Sequence, residues 1–225
     1  ANEPRAVRRL ARKLEREALG AIRAAYEAGP CGYVLKRQLE AEGIPCQVVA
    51  PSRIPTAPGD RIKTDRRDAK KLAEMLRAGL LTEVHPPTEQ EESVRDLCRA
   101  REDAKQDLTR CRHRVTKFLL RKGLRYGQGR AWTQGHRRWL WSLELEHRAA
   151  QATLEDYLLG IQQVETRLRE LDRVIAEIAH TEPYRDQVGW LRCFRGIDTL
   201  TAMIILSELH GFRRFRSARQ LMAYL

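Results

Sequence analysis

Two carboxylates three residues apart, Asp65 and Asp68, stand inside the block Lys63-Thr64-Asp65-Arg66-Arg67-Asp68-Ala69. Ala69, Leu72, Ala73, Met75 and Leu76 follow at helical spacing, which predicts a helix from Asp65 to Arg77. Side chains three apart project from the same side of a helical turn. Two acids held that close repel unless a cation neutralises them, and hard oxygen donors of this kind suit Mg²⁺ or Mn²⁺. The spacing equally fits a capping box, with Asp65 as N-cap and Asp68 as the acid three residues on. Lys63, Arg66 and Arg67 serve either reading, by pairing with the acids or by holding nucleic acid beside a metal.

The elements around this pair follow from the same patterns. Pro51, Pro55, Pro58 and Gly59 rule out regular structure just before it, so a loop leads into the helix. Upstream, residues 3–18 predict a basic helix with Val7, Leu10, Ala11, Leu14 and Ala18 on its core face. Ala21–Glu27 and Cys46–Ala50 predict short strands, with a helix from about Gly32 to Glu42 between them. Strand, helix, strand, loop, helix implies a parallel pair with a crossover. Two strands are too few for a stable α/β domain, so further strands are expected ahead of Ala1. Glu27 closes the first strand, at the end where open α/β sheets place their ligands. It is therefore expected to converge with Asp65 and Asp68.

The middle of the chain carries a different period. Val94, Arg101, Leu108 and Val115 at one heptad position, with Leu97, Ala104, Cys111 and Phe118 at another, predict a long helix from about Thr88 to Lys122. A second, from about Leu140 to His180, has its seam at Leu154, Tyr157, Ile161, Val164, Leu168, Leu171, Ile175 and Ile178. Together they predict a coiled coil: an antiparallel hairpin, or the same pairing between molecules. The joint, 121–138, holds Arg121, Lys122, Arg125, Arg130, Arg137 and Arg138 without an acid, among glycines, Tyr126 and Trp132. That mixture fits either a phosphate-tracking, base-stacking loop or a solvated tip.

From Trp190 the chain predicts a turn feeding a helix that ends near His210. Arg195 and Gly196 precede that helix in a pattern resembling helix-hairpin-helix DNA binders, whose backbone amides hold phosphate. Asp198 stands where a second glycine would be, and it either repels a phosphate or caps the helix. Arg213, Arg214, Arg216 and Arg219 keep the following segment basic. The expected organisation is therefore 1–86, an α/β domain; 87–185, a coiled-coil hairpin; and 186–225, the start of a helical domain.

Composition narrows the partner. Lys and Arg total 42 against 30 Asp and Glu, a net charge of +12, which points to a polyanion and above all to nucleic acid. No apolar run approaches the about 20 residues of a membrane span, and no signal peptide is visible. The five cysteines lack zinc-ligand spacing, and their scatter fits a reducing, cytoplasmic setting. The chain starts at Ala1 and stops at Leu225 within an amphipathic pattern, so both ends are expected to be cut.

Three pieces together resemble one family. Tyr26-Glu27-Ala28-Gly29, the Lys63–Ala69 block, and Phe194-Arg195-Gly196-Ile197 leading into Phe215-Arg216-Ser217-Ala218 and Leu221-Met222-Ala223-Tyr224-Leu225 are similar to the DEDD transposases of the insertion-sequence 110/116/902 family. The resemblance implies a partial ribonuclease-H-like (RuvC-like) domain, a coiled coil and a C-terminal transposase domain. It implies a four-acid Mg²⁺ or Mn²⁺ site in which Glu27, Asp65 and Asp68 are the second, third and fourth acids, and a serine nucleophile further on. The first acid and that serine have no match in this sequence; neither Ser207 nor Ser217 takes the role. The implied activity is DNA cleavage and rejoining in insertion-sequence transposition, with the fragment inactive alone. DNA, in some members a structured guide RNA, and further copies joined through the coiled coil are the implied partners. Two other readings stay open: a basic coiled-coil protein that only binds nucleic acid, and a junction-resolving nuclease of the same fold.

Overall fold

The computed structural model describes residues 3–54 and 64–224; Lys63 and most of the expected proline loop lie outside the described residues. The chain divides into two units, Ala1–Pro86 and Pro87–Leu225.

The first unit is built on two strands. Helix α1 (Pro4–Glu17) starts on a proline, which a first helical position tolerates, and buries Val7 and Ala11. Strand β1 (Ala24–Glu27) is shorter than the predicted run, and Ile22 ahead of it packs on the core instead of pairing. Helix α2 (Val34–Ala41) leads into β2 (Cys46–Val49), and the strands pair in parallel from Ala24 opposite Cys46 to Glu27 opposite Val49. Val7, Ala11, Leu39, Ile44 and Cys46 form the core that joins these elements. Lys36 fastens α2 to its neighbours, donating to Glu40, to Glu83 and to the Cys46 carbonyl. Helix α3 (Asp65–Ala78) follows and packs against β1, closing at Gly79, whose φ of 69° suits a residue without Cβ.

The second unit is helical: α4 (Glu89–Arg121), α5 (Gln134–Trp141), α6 (Arg148–Ala179), α7 (Tyr184–Arg192), α8 (Thr199–Leu209) and α9 (Ala218–Tyr224). Thr88 and Glu91 close a capping box at the start of α4. Arg101 meets Asp172, Arg112 meets Glu165 and Phe118 meets Tyr157, so α4 and α6 run in opposite directions. The long helix expected from Leu140 is in fact two. Between α5 and α6, Leu143 and Leu145 turn into the core, and the Leu145 N–H donates to Gln151 Oε1 at 3.0 Å. Burial of two leucines, about 1.5–3 kcal/mol each when complete, outweighs helical continuity here. At the other end of the hairpin, Val94, Cys98, Ile175 and Ala179 share one core with Tyr184, Val188, Ala202, Met203 and Leu206. Helix α7 takes in Leu191 and Arg192, where a turn was expected.

Candidate functional site

Glu27, Asp65 and Asp68 line one cleft of about 540 Å³ in the first unit. Glu27 comes from the C-terminal end of β1, and the two aspartates from the start of α3. Small side chains on both walls, Ala24, Ala25, Ala69 and Ala73, keep the space between strand and helix open. All three acids are exposed, and among the described residues none of their carboxylates has a hydrogen bond or ion pair. Arg23 also lines the cleft. It lies four residues before Glu27, so strand alternation places the two on one face, a signal the sequence reading passed over.

The capping box expected at Asp65 and Asp68 is not what forms. Thr64 is the N-cap: its backbone is extended, and its hydroxyl accepts from the Arg67 N–H at 3.4 Å. Thr64 and Asp65 are both good caps by type, and one residue of register decided between them. With Thr64 in that place, Asp65 is the first helical residue and Asp68 the fourth, and neither carboxylate is spent on the cap. The positive end of α3 favours acids there by about 0.3–1 kcal/mol each, which offsets part of their mutual repulsion.

Three free carboxylates facing one cleft have the donor chemistry of a hard divalent ion. Among the described residues no three acidic, histidine or cysteine side chains stand close enough together to hold a metal ion. The acids are an open set on two walls, and α3 and β1 present them without closing them into a cage.

The family model described as a transposase, of the DEDD insertion-sequence 110 type, matches residues 1–122. The chain belongs to this transposase family. It is 42% identical over 200 residues to a transposase for insertion sequence element IS1533 of Leptospira borgpetersenii, covering 88% of this chain and 58% of that protein. It is 44% identical over 200 residues to the putative transposase y4qE of Sinorhizobium fredii, covering 89% and 48%. A second putative transposase of that organism, y4rJ, is 30% identical over 225 residues, covering 88% and 54%. The chain thus spans about half the length of the curated relatives it matches.

In this transposase-family chain the expected nucleic-acid contacts divide into exposed groups, of which Arg121 and Lys122 lie over the Phe118 ring, and committed ones. Arg66 and Arg67 are exposed on the first turn of α3, and Arg121, Lys122, Arg125, Arg130 and Arg138 are exposed at the hairpin joint. Arg137 is committed: its two terminal nitrogens each bond Glu165 at 2.6 Å, and Arg112 joins the same carboxylate at 3.2 Å. That pairing, Arg137 foremost, holds the Glu165 carboxyl below the usual carboxylate range. The aromatics of the joint are committed too. Tyr126 and Trp132 pack edge-on against His136, which stacks on Trp139, and the Trp132 N–H donates to His136 Nδ1 at 3.0 Å. In place of either a base-stacking loop or a solvated tip, the aromatics form a small core around α5, because four rings gain more from one another than from solvent.

Nearer the C-terminus, Arg195, Arg213 and Arg216 are exposed. Arg214 packs against the rings of both Phe215 and Tyr224, at 4.4 and 4.3 Å, and the two rings also meet each other edge-on. Gly196 takes a φ of 90°, and Asp198 caps α8 by accepting from the Thr201 N–H at 2.7 Å. The helix N-terminus beside Gly196 is therefore occupied by a carboxylate, which leaves it a poor phosphate cradle. Ser207 is buried and donates to the Ile204 carbonyl. Among the described residues no helix is long and apolar enough to cross a membrane.

Proposed function

We propose that this chain carries three acids of the catalytic centre of an insertion-sequence transposase, which cuts and rejoins DNA with a divalent metal. One observation carries the reading: Glu27, Asp65 and Asp68 line a single cleft while Thr64, not an acid, caps the helix. Glu27, Asp65 and Asp68 stand too far apart here to ligate one ion together; drawn closer across the cleft they would hold Mg²⁺ or Mn²⁺, which when bound polarises phosphoryl oxygens and stabilises the leaving oxygen. The protein's own part is to present three carboxylates to one space, with Arg66 and Arg67 beside them to hold a phosphate. On this reading residues 1–86 are the acid-bearing part of a RuvC-like domain, 87–185 a coiled-coil hairpin through which copies assemble, and 186–225 the opening of the transposase domain. DNA is the substrate, a structured guide RNA a further partner, and the cytoplasm the place of work. Cleavage in the family also needs its first acid and a serine nucleophile, which no residue here matches, so the stretch alone is expected to bind metal and not to cut.

The test is calorimetric titration of Mn²⁺ into the chain, beside Asp65→Asn, Asp68→Asn and Glu27→Gln. Saturable binding that each substitution weakens, with helicity unchanged, supports the reading. Mn²⁺ uptake that the triple variant retains in full would place the metal elsewhere. No uptake by the parent would favour a basic protein that binds nucleic acid without chemistry.

A further inference from the structure

Helix α1 carries a second feature that neither the cleft nor the hairpin uses. Arg5, Arg9, Arg12 and Arg16 recur at intervals of four, three and four. At 3.6 residues per turn this gathers them within an arc of about 60°. The opposite face holds Val7 and Ala11, both buried. All four arginines are exposed, and among the described residues none has an ion pair or hydrogen bond. The remaining basic groups of the helix behave otherwise: Arg8 pairs with Glu42 at 3.1 Å, and Lys13 with Glu17 at 4.0 Å. Glu15 and Glu17 lie outside the arc, about 60° and 80° beyond its two edges, and Glu3 lies farther round.

Like charges at these intervals repel, and an exposed helix face ordinarily relieves this with interspersed acids. Here the stripe is acid-free and purely arginine, the side chain whose planar fork matches phosphate. From Arg5 to Arg16 the helix rises about 16 Å, alongside about five phosphates of one strand at 3.4 Å of axis each. A lipid surface fits poorly, since a surface-lying helix inserts its apolar face, and of that face on α1 Val7, Ala11 and Leu14 pack into the unit's own core, leaving only Leu10 exposed. We propose that this stripe binds the phosphodiester backbone of a nucleic-acid strand. The proposal rests on the reading of the chain as a nucleic-acid enzyme and adds a contact surface on α1.

The experiment uses the full 225-residue chain, with Arg5, Arg9, Arg12 and Arg16 all changed to Gln, and separately all to Lys. Binding to labelled duplex DNA, and to duplex RNA of matching sequence, is followed by anisotropy across a salt series. The slope of log K against log salt should flatten by about three to four in the Gln variant. The Lys variant should keep most of the slope while binding more weakly. The arm in which this occurs identifies DNA or RNA as the source of the backbone. Should the fourfold variant lose helicity, Arg9→Gln with Arg16→Gln should flatten the slope by about two. Equal slopes for parent and Gln variants in both arms would show the stripe idle while leaving the nucleic-acid reading intact. A parent that binds neither duplex, or prefers anionic vesicles to both, would overturn the stripe and that reading together.

Discussion

Arg137 on α5 grips Glu165 on α6 through two hydrogen bonds of 2.6 Å, so a residue expected to touch nucleic acid instead ties the joint to the hairpin. Arg112 of α4 reaches the same carboxylate, and one half-buried acid therefore holds three helices. Removing it strands two partly covered guanidinium groups. Glu165→Gln is expected to destabilise the second unit by about 1–2 kcal/mol, the lower part of the range for charged hydrogen bonds because Arg137 is partly solvated. Thermal unfolding of parent and variant in low and high salt checks this, with the difference shrinking in salt.

The same carboxyl gives a pH dependence whose sign is fixed. Glu165 titrates lower in the folded chain than in the unfolded one, chiefly through Arg137. Its contribution is complete above the unfolded value, about 4.3, and disappears as pH falls through the folded value. His136 acts in the same direction at higher pH. Burial, and next the Arg137 charge, lowers its pKa, and its Nδ1 accepts a hydrogen bond that a protonated ring would break. Stability should therefore begin to decline below about pH 6.5 and fall again in the carboxylate range. Urea midpoints measured from pH 8 to 3 should show both steps, and His136→Gln should shrink the first, leaving the part due to His210, whose pKa burial also lowers.

At the cleft, capping and the proposed metal binding separate by residue. Thr64→Ala should fray the first turn of α3, raising exchange of the Arg67 amide by an amount equivalent to about 0.5–1 kcal/mol. Asp65→Asn and Asp68→Asn should leave that amide within a few tenths of a kcal/mol of the parent while weakening Mn²⁺ uptake. Amide exchange followed by NMR checks the first, and calorimetry the second.

The base of the hairpin depends on a few fully covered side chains. Ile175 has no exposed surface and lies in the core shared with α7 and α8, whereas Leu159 on the same helix is 48% exposed. Ile175→Ala should cost about 2–5 kcal/mol. Leu159→Ala should stay within about 0.5 kcal/mol, the usual range for surface positions. Denaturant unfolding of the two variants side by side is sufficient.

What could be read from residues alone divides along physical lines. Heptad positions such as Val94, Val115, Leu154 and Ile175 announced the paired helices, because a 3.5-residue period survives any loop between them. That Glu27, Asp65 and Asp68 face one cleft was also legible, from strand polarity and one helical turn, whereas their spacing across it was not. Register at Thr64 was not, since Thr64 and Asp65 are both accepted caps and the one ranked lower by type took the place. The fate of Arg137, Tyr126 and Trp132 was hidden for a different reason. Their partners Glu165, His136 and Trp139 are chosen by tertiary packing, and a basic, aromatic, glycine-bearing stretch reads alike whether it packs inward or faces solvent.

Helix α4 runs unbroken for 33 residues, which makes it a ruler of about 50 Å. Measured against duplex DNA at 3.4 Å per step, that length corresponds to about fifteen base pairs, close to one and a half turns. Whatever is held near its two ends is thereby set on nearly opposite sides of a straight duplex. Adding one heptad to both α4 and α6 would lengthen the ruler by about 10 Å, or three base-pair steps, without altering a single seam contact.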